Sequence, residues 1–348
     1  MRRYSRKIWV GKTAIGGDSP ISVQSMTKTR TVDIDSTVAQ ILQLEQVGCE
    51  IVRVAVPDEL AAHALSSIKN QINIPLVADI HFNYQLALMS IDAGADKIRI
   101  NPGNIGNVEN LKNVLAKAKY NNIPIRIGVN AGSLEKELLK KYGHVCAEAL
   151  LESAMRYIRI CEEFSFEAII VSLKSSDVKM MIDAYRLIAL KIDFPLHLGV
   201  TETGMESIGL IKSAIGIGSL LQQGIGDTIR VSLTADPVKE VQAGINILRA
   251  LELKNENVTV ISCPTCGRME VDLFKIIKEV EKRITNMKKP IKVAIMGCTV
   301  NGPGEARKAD IGIACGRKKA VLFRQGKAIK TIPEKDIVHE LLKEVTVY

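Results

Sequence analysis

Two patterns of apolar residues take turns along the chain. Short β-rich runs recur at Ile21–Met26, Ile51–Val56, Leu76–His81, Lys97–Asn101, Ile125–Asn130, Ala168–Lys174, Leu196–Thr201 and Thr228–Thr234. Each is followed by a stretch with helical spacing. In Ser36–Val47 the apolar positions are Val38, Ile41, Leu42, Leu44 and Val47, with Asp35 expected as the N-cap. Val238–Leu251 follows Asp236-Pro237, an acidic cap and a proline at the first helical position. Pro20, Pro75, Pro124 and Pro195 introduce runs at the point where a loop enters a strand. Eight strand–helix units in roughly 235 residues match a (β/α)8 TIM-type barrel. A doubly wound open sheet fits the even spacing and the count less well.

The pattern changes after Leu253. Lys254-Asn-Glu-Asn-Val258 reads as a polar linker, so residues 1–253 are assigned to the barrel and 254–348 to a small α/β domain. Strands are expected at Thr259–Ile261, Lys292–Met296, Ala309–Cys315, Ala320–Arg324 and Ala328–Ile332. Helices are expected at Val271–Ile284 and Glu334–Val345.

Composition narrows the function classes. Hydrophobic residues make up 47% and charged residues 24% of the 348, which argues against disorder or a fibre. Aromatics are only 4%, too few for a reader of stacked bases. The net charge of +9 fits a nucleic acid, a membrane surface, a small anion or simply a basic solvated surface. The basic start Met1–Lys7 runs into Ile8-Trp9-Val10 and Gly11-Lys12 without an apolar core, so no secretory signal is expected. The most apolar window, Ile208–Leu221, is broken by Lys212 and glycines, so no membrane span is expected. Seven cysteines make a poor disulfide framework, and a reducing cytoplasm fits better.

In a barrel of this kind the active site lies at the C-terminal strand ends. Those ends carry Arg53, Asp79, His81, Arg99, Asn101, Arg126, Asn130, Ser172, Lys174, His197, Thr201, Arg230 and Ser232. Even spacing within each strand puts its members on one face. Arg53, Arg99, Arg126, Lys174 and Arg230 would then share one volume, with only Asp79 and Glu202 as carboxylates at comparable positions. Such a cluster repels itself unless an anion enters, and arginine is the preferred fork for phosphate oxygens. A compact diphosphate fits. Glu202 follows the seventh strand, either as a general acid or as a glutamate at a helix N-terminus, and spacing does not separate the two.

The second region carries Cys263-Pro-Thr-Cys266 after a strand and Cys298 in the turn Gly-Cys-Thr-Val-Asn-Gly-Pro-Gly-Glu305. Three thiolates in two Gly/Pro-rich turns suit an iron–sulfur cluster, with a structural zinc as the alternative. For a fourth ligand there is Cys315, at the end of an apolar run, or Glu305, an oxygen donor more easily displaced than a thiolate. Cys49, Cys146 and Cys161 fall in helical patterns and read as core. Two further classes remain: a non-redox, pterin-binding type of barrel with a zinc domain, and a nucleic-acid binder with a zinc knuckle.

The motifs together resemble the 4-hydroxy-3-methylbut-2-enyl diphosphate synthase family of the methylerythritol-phosphate pathway, bacterial in type and without the plant-type insert. The resemblance rests on Val23–Thr27, Glu50–Pro57, Ala78–Phe82, Lys97–Asn104, Arg126–Ser133, His197–Gly204, Ser262–Arg268 and Cys298–Glu305. It implies reductive opening of 2-C-methyl-D-erythritol 2,4-cyclodiphosphate, with two electrons from reduced ferredoxin or flavodoxin and loss of one hydroxyl as water. It implies a [4Fe-4S] cluster on Cys263, Cys266, Cys298 and Glu305. It implies diphosphate contacts from Arg53, His81, Arg99, Arg126, Asn130, Lys174, Arg230 and Ser232, and Glu202 beside the substrate. It also implies a homodimer that shares its active site between chains. Linker length points the same way: a polar linker of about five residues reaches at most about 18 Å, little for a path from the bottom of a barrel to its mouth.

Overall fold

The computed structural model describes residues 2–101, 104–105, 107–255, 257–284 and 287–348. Pro102 and Gly103 of the fourth strand's motif and Glu256 of the expected linker lie outside the described residues. The chain divides into two compact units, Met1–Lys254 and Asn255–Tyr348.

The first unit begins with an antiparallel hairpin, β1 (Ile8–Val10) and β2 (Thr13–Ile15), a pairing the sequence reading had not assigned. Eight parallel strands follow: β3 (Ser22–Met26), β4 (Ile51–Ala55), β5 (Leu76–Ile80), β6 (Lys97–Ile100), β7 (Ile125–Asn130), β8 (Ile169–Lys174), β9 (His197–Leu198) and β10 (Thr228–Ile229). Their order is β8-β7-β6-β5-β4-β3-β10-β9, and the bridge Val171↔Leu196 joins the two ends. The sheet is therefore the expected (β/α)8 barrel. β9 and β10 are shorter than expected. Beyond them the backbone comes very close: a β-carbon at Gly199 would stand 2.6 Å from the Arg230 carbonyl oxygen.

The intervening helices turn apolar faces to the strands. In Ile34–Gln46, Thr37, Val38, Ile41 and Leu44 are buried. The N-cap here is Asp33 and not Asp35: the Asp33 carboxylate accepts the Ser36 N–H at 3.2 Å, and Asp35 sits in the first turn. In Pro237–Ala250 the Asp236 carboxylate accepts the Val238 N–H at 2.8 Å, as the Asp-Pro pair predicts.

The hairpin plugs the bottom of the barrel. Ile8, Val10 and Ile15 pack on Ile51, Val77 and Ile170, which point inward near the N-terminal ends of β4, β5 and β8. The basic arm before it is fastened by Arg2 to Asp227 at 2.7 Å and Arg6 to Asp193 at 2.8 Å. Part of the positive charge at the start of the chain therefore serves the fold.

The second unit is one five-stranded sheet in the order β11 (Thr259–Ser262), β12 (Lys292–Met296), β13 (Ile311–Gly316), β14 (Lys319–Arg324) and β15 (Lys327–Pro333). The first three strands are parallel and the last two antiparallel. Helices Leu273–Ile284 and Ile337–Val347 cover the face that carries Val293, Ile295, Ile313 and Cys315. Gly302–Lys308, expected only as a turn, is a short helix on the other face. Small residues let it approach: a β-carbon on Gly312 would meet the Ala306 carbonyl oxygen at 2.4 Å.

Candidate active site: a buried cation cluster and a cysteine edge

Side chains alternate across each barrel strand, so the inward set follows from the register. Near the C-terminal ends it comprises Arg53, Asp79, Arg99, Lys174 and, just past β10, Arg230. Arg53, Asp79, Arg99, Arg126 and Lys174 are all less than a tenth exposed. Asp79 is the hub. Its carboxylate takes Arg99 at 3.0 Å, Arg53 at 3.6 Å and His81 Nε2 at 3.7 Å. Burial alone would raise the Asp79 pKa, but Arg53, Arg99, His81 and Arg126 outweigh it and hold the carboxyl far below its usual range.

Inward glycines make room for the long cations. A β-carbon on Gly128 would stand 2.7 Å from Arg99 Nε, and one on Gly199 would stand 3.2 Å from Lys174 Nζ. Arg126 is fully buried, and its Nε and Nη1 have no hydrogen-bond partner among the described residues. Burial lowers its pKa well below the ordinary value, and the charges of Arg53 and Arg99 add to that. Lys174 is lowered the same way, by burial and then by Arg126 and Arg230. A donor left without an acceptor in a dry interior costs about 1–3 kcal/mol, and more when charged. The interior is arranged for an acceptor that the chain itself does not provide.

A second carboxylate had been missed. Glu240 is 2% exposed; its carboxylate lies 3.7 Å from Arg230 and 3.3 Å from Lys28 and accepts the Leu233 N–H at 3.0 Å. The signal was its place on the buried helical face with Gly244 and Leu248, four and eight positions on. Even so, Arg53, Arg99, Arg126, Lys174 and Arg230 outnumber Asp79 and Glu240. Lys97 had also been passed over, although it precedes Arg99 by two and must share its inward face.

Other expected residues lie at the rim. His81, Asn130 and Ser232 are half-buried where β5, β7 and the β10 segment end. Glu202 is exposed, in the loop after β9, with φ at +52°. That left-handed backbone is unusual for a long side chain and is typical of functional loops. The following helix starts at Glu206, so Glu202 is not a first-turn residue.

In the second unit the cysteines gather at one edge of the sheet. Ser262 on β11 pairs with Ile295 on β12, so Cys263 and Cys298 leave the C-terminal ends of adjacent parallel strands. A β-carbon on Gly297 would stand 3.5 Å from Cys263 Sγ, so glycine there lets the two cysteine turns approach. Backbone N–H groups of Asn301 and Val300 turn to Cys298 and lower its thiol pKa. Cys266 is exposed; Cys263 and Cys298 are half-buried. Glu305, on the short helix, is half-exposed and pairs with Lys308 at 3.0 Å. Cys315 is buried in the apolar cluster under the two longer helices, where burial pushes its thiol up to about 12. Cys49 and Cys161 are buried, with thiols likewise raised to about 12, and Cys146 is half-buried at a helix start.

Among the described residues no group of three or more His, Cys, Asp or Glu side chains stands close enough together to hold one metal ion. The ligands of a cluster bind different irons and stand apart from one another. The donors fit such a group in kind: thiols outside the core, one lowered toward thiolate, with an accessible carboxylate on the short helix that follows Cys298.

Fold and site together define a barrel protein with a buried cation cluster at its strand ends and a separate thiol-bearing domain. The family model described as the GcpE TIM-barrel domain matches residues 5–245, and that of the GcpE protein C-terminal domain matches 259–347. The chain belongs to this family. It is 59% identical to the 4-hydroxy-3-methylbut-2-en-1-yl diphosphate synthase (flavodoxin) of Caldanaerobacter subterraneus, covering 99% of this chain and 97% of that one. It is 57% identical to the enzyme of the same name from Clostridium tetani, covering 99% of each. Among solved structures it resembles a dihydropteroate synthase from Stenotrophomonas maltophilia, with a TM-score of 0.52 at 13% identity over 71% of this chain and 98% of that one. That likeness shows the barrel fold alone.

Proposed function

We propose that the chain reductively opens 2-C-methyl-D-erythritol 2,4-cyclodiphosphate to 4-hydroxy-3-methylbut-2-enyl diphosphate, a step of isoprenoid precursor synthesis. Two electrons come from reduced flavodoxin, or from a ferredoxin, and one hydroxyl leaves as water. The relatives' names state the product and the flavodoxin. The observation that carries the reading is the barrel interior, where buried cations outnumber carboxylates and Arg126 has donors without acceptors.

Arg53, Arg99, Arg126, Lys174 and Arg230 bind the diphosphate, with His81, Asn130 and Ser232 at its rim. Opening the ring breaks the bond between carbon and a phosphate oxygen, and that phosphate gains charge. Fixed guanidiniums in a dry interior hold the developing charge without rearranging. Glu202, in its exposed loop, delivers the proton that turns the departing hydroxyl into water. Cys263, Cys266, Cys298 and Glu305 would hold a [4Fe-4S] cluster. When bound, it would supply single low-potential electrons and a Lewis-acidic iron. Free thiols and a low-potential donor suit a cytoplasmic setting. Among the described residues no helix is long and apolar enough to cross a membrane.

The test is anaerobic purification with iron and sulfide analysis, followed by an assay of the cyclodiphosphate with reduced flavodoxin. Brown protein carrying about four irons per chain and forming the linear product is expected. Colourless, zinc-bearing protein without turnover would overturn the reading. A homodimer working in trans belongs to the same proposal. Mixing Glu202→Gln with Cys298→Ser chains under subunit exchange should restore activity. Verified mixed dimers that stay inactive would rule it out.

A further inference from the structure

Beneath the arginines lies a layer that the proposed chemistry does not use. Lys97 on β6 and His197 on β9 are both completely buried. Among the described residues, Lys97 Nζ makes one hydrogen bond, to Gln24 Oε1 at 3.4 Å. Neither ring nitrogen of His197 has a partner among the described residues. The groups around them are Gln24 on β3, Arg53 on β4, Arg126 on β7 and Lys174 on β8. Asp79 on β5 and Glu240 on the last barrel helix are engaged by Arg99 and Arg53 and by Arg230 and Lys28. Neither carboxylate forms an ion pair with Lys97 or His197 among the described residues. Below the layer lie the apolar side chains Ile8, Val10, Ile15, Ile51, Val77 and Ile170, and the buried hydroxyls of Ser22 and Thr228, which do not titrate near neutral pH.

We infer that Lys97 and His197 form a proton-accepting layer, so that the barrel takes up a proton when its anion binds. The inference rests on the anion-site reading. Guanidiniums keep their protons almost anywhere, whereas a buried amine or imidazole surrounded by cations gives its proton up. Burial first, and then Arg126 and its neighbours, push both Lys97 and His197 well below their ordinary values. An anion above them offsets the positive local field and favours the charged forms. Proton and anion then strengthen each other's binding by equal factors. Both groups have lowered pKa values in the free protein that rise in the complex. Uptake therefore occurs in the window between the two values, and anion affinity falls as pH rises through it. Such a layer lets the site follow a change in ligand charge without a carboxylate that would repel the phosphate.

The test uses the full-length protein and sulfate, which does not itself titrate near neutral pH. Titration calorimetry at about pH 7.5, in buffers of different ionisation enthalpy, reads the protons exchanged per anion bound. The expected result is an uptake of about half to one proton, with affinity falling up to about tenfold per pH unit. Lys97→Met and His197→Gln, made together, should bind sulfate with at most about half that uptake. Sulfate binding with no buffer dependence overturns the inference and leaves the anion site standing. Unchanged uptake in the double variant overturns it too, because the proton would then go to Lys174. Failure of sulfate to bind the unmodified protein overturns the anion site itself. If the double variant does not fold, the single variants Lys97→Met and His197→Gln decide: at least one must lower the uptake, and unchanged uptake in both overturns the inference.

Discussion

Two groups of chemistry-bearing residues sit in opposite surroundings. In the barrel, folding itself strips water from Arg53, Arg99, Arg126 and Lys174, all under a tenth exposed, and holds them near one another. At the edge of the five-stranded sheet, Cys266 is exposed, Cys263 and Cys298 are half-buried, and Glu305 pairs with Lys308. The barrel fold fixes these like charges near one another on neighbouring strands, which is what preorganised electrostatics requires. The cysteine edge works the other way: a thiol outside the core stays reactive, and binding a metal group supplies the order. The same chain shows the alternative, since Cys49, Cys161 and Cys315 are buried and their thiols are pushed up to about 12. Burial thus sharpens the barrel cations as anion ligands and would silence the cysteines as metal ligands.

The sharpest way to break this comparison is at the cysteine edge. Cys298→Ser should bring iron and sulfide to background and abolish turnover, while the barrel still binds inorganic diphosphate. Glu305→Ala should lower cluster content or activity, and Cys315→Ser should leave both largely intact. Loss of the cluster in Cys315→Ser, with retention in Glu305→Ala, would reassign the fourth ligand.

Asp79→Asn comes next. Leaving buried Arg53 and Arg99 without their counter-charge should destabilise the barrel by about 3–5 kcal/mol. Added diphosphate should recover part of this, measured by urea unfolding with and without the anion. Its pH behaviour is fixed in sign. The Asp79 carboxyl has a lowered folded-state pKa, so its contribution is present above the ordinary carboxylate range and is lost only as pH falls well below it. Unchanged stability in the variant would mean that the cations do not burden the fold.

A smaller effect is expected from Arg126→Ala, which should weaken diphosphate binding by about 1.5–3 kcal/mol, roughly 10- to 150-fold, with iron content unchanged. Unaltered affinity would remove Arg126 from the site. The smallest is Asp177→Ala. The Asp177 carboxylate accepts the Met180 N–H at 2.9 Å to cap helix Val178–Ala189, and its loss should cost about 1 kcal/mol of barrel stability without touching either site.

Local pattern was enough to read the barrel, because strand and helix periods are properties of neighbouring residues. Parity along each strand likewise placed Arg53, Arg99, Arg126 and Lys174 on one face. It should have placed Lys97 there too, two residues before Arg99. Glu240 could be read only from a helical face, and its ion pairs with Arg230 and Lys28 join segments far apart in sequence. The hairpin that plugs the barrel was hidden for a similar reason: three-residue strands carry almost no periodicity, and Ile8, Val10 and Ile15 are held by distant Ile51, Val77 and Ile170. The Gly302–Lys308 helix was masked by its own glycines and proline, and it forms where Gly312 lets it lie against the sheet. Cysteine spacing alone raised the possibility of a metal group. That Cys315 is buried among apolar side chains, while Glu305 lies on the short helix across the sheet, was decided by the pleat of β13 within a packed sheet, because only a folded sheet has two sides.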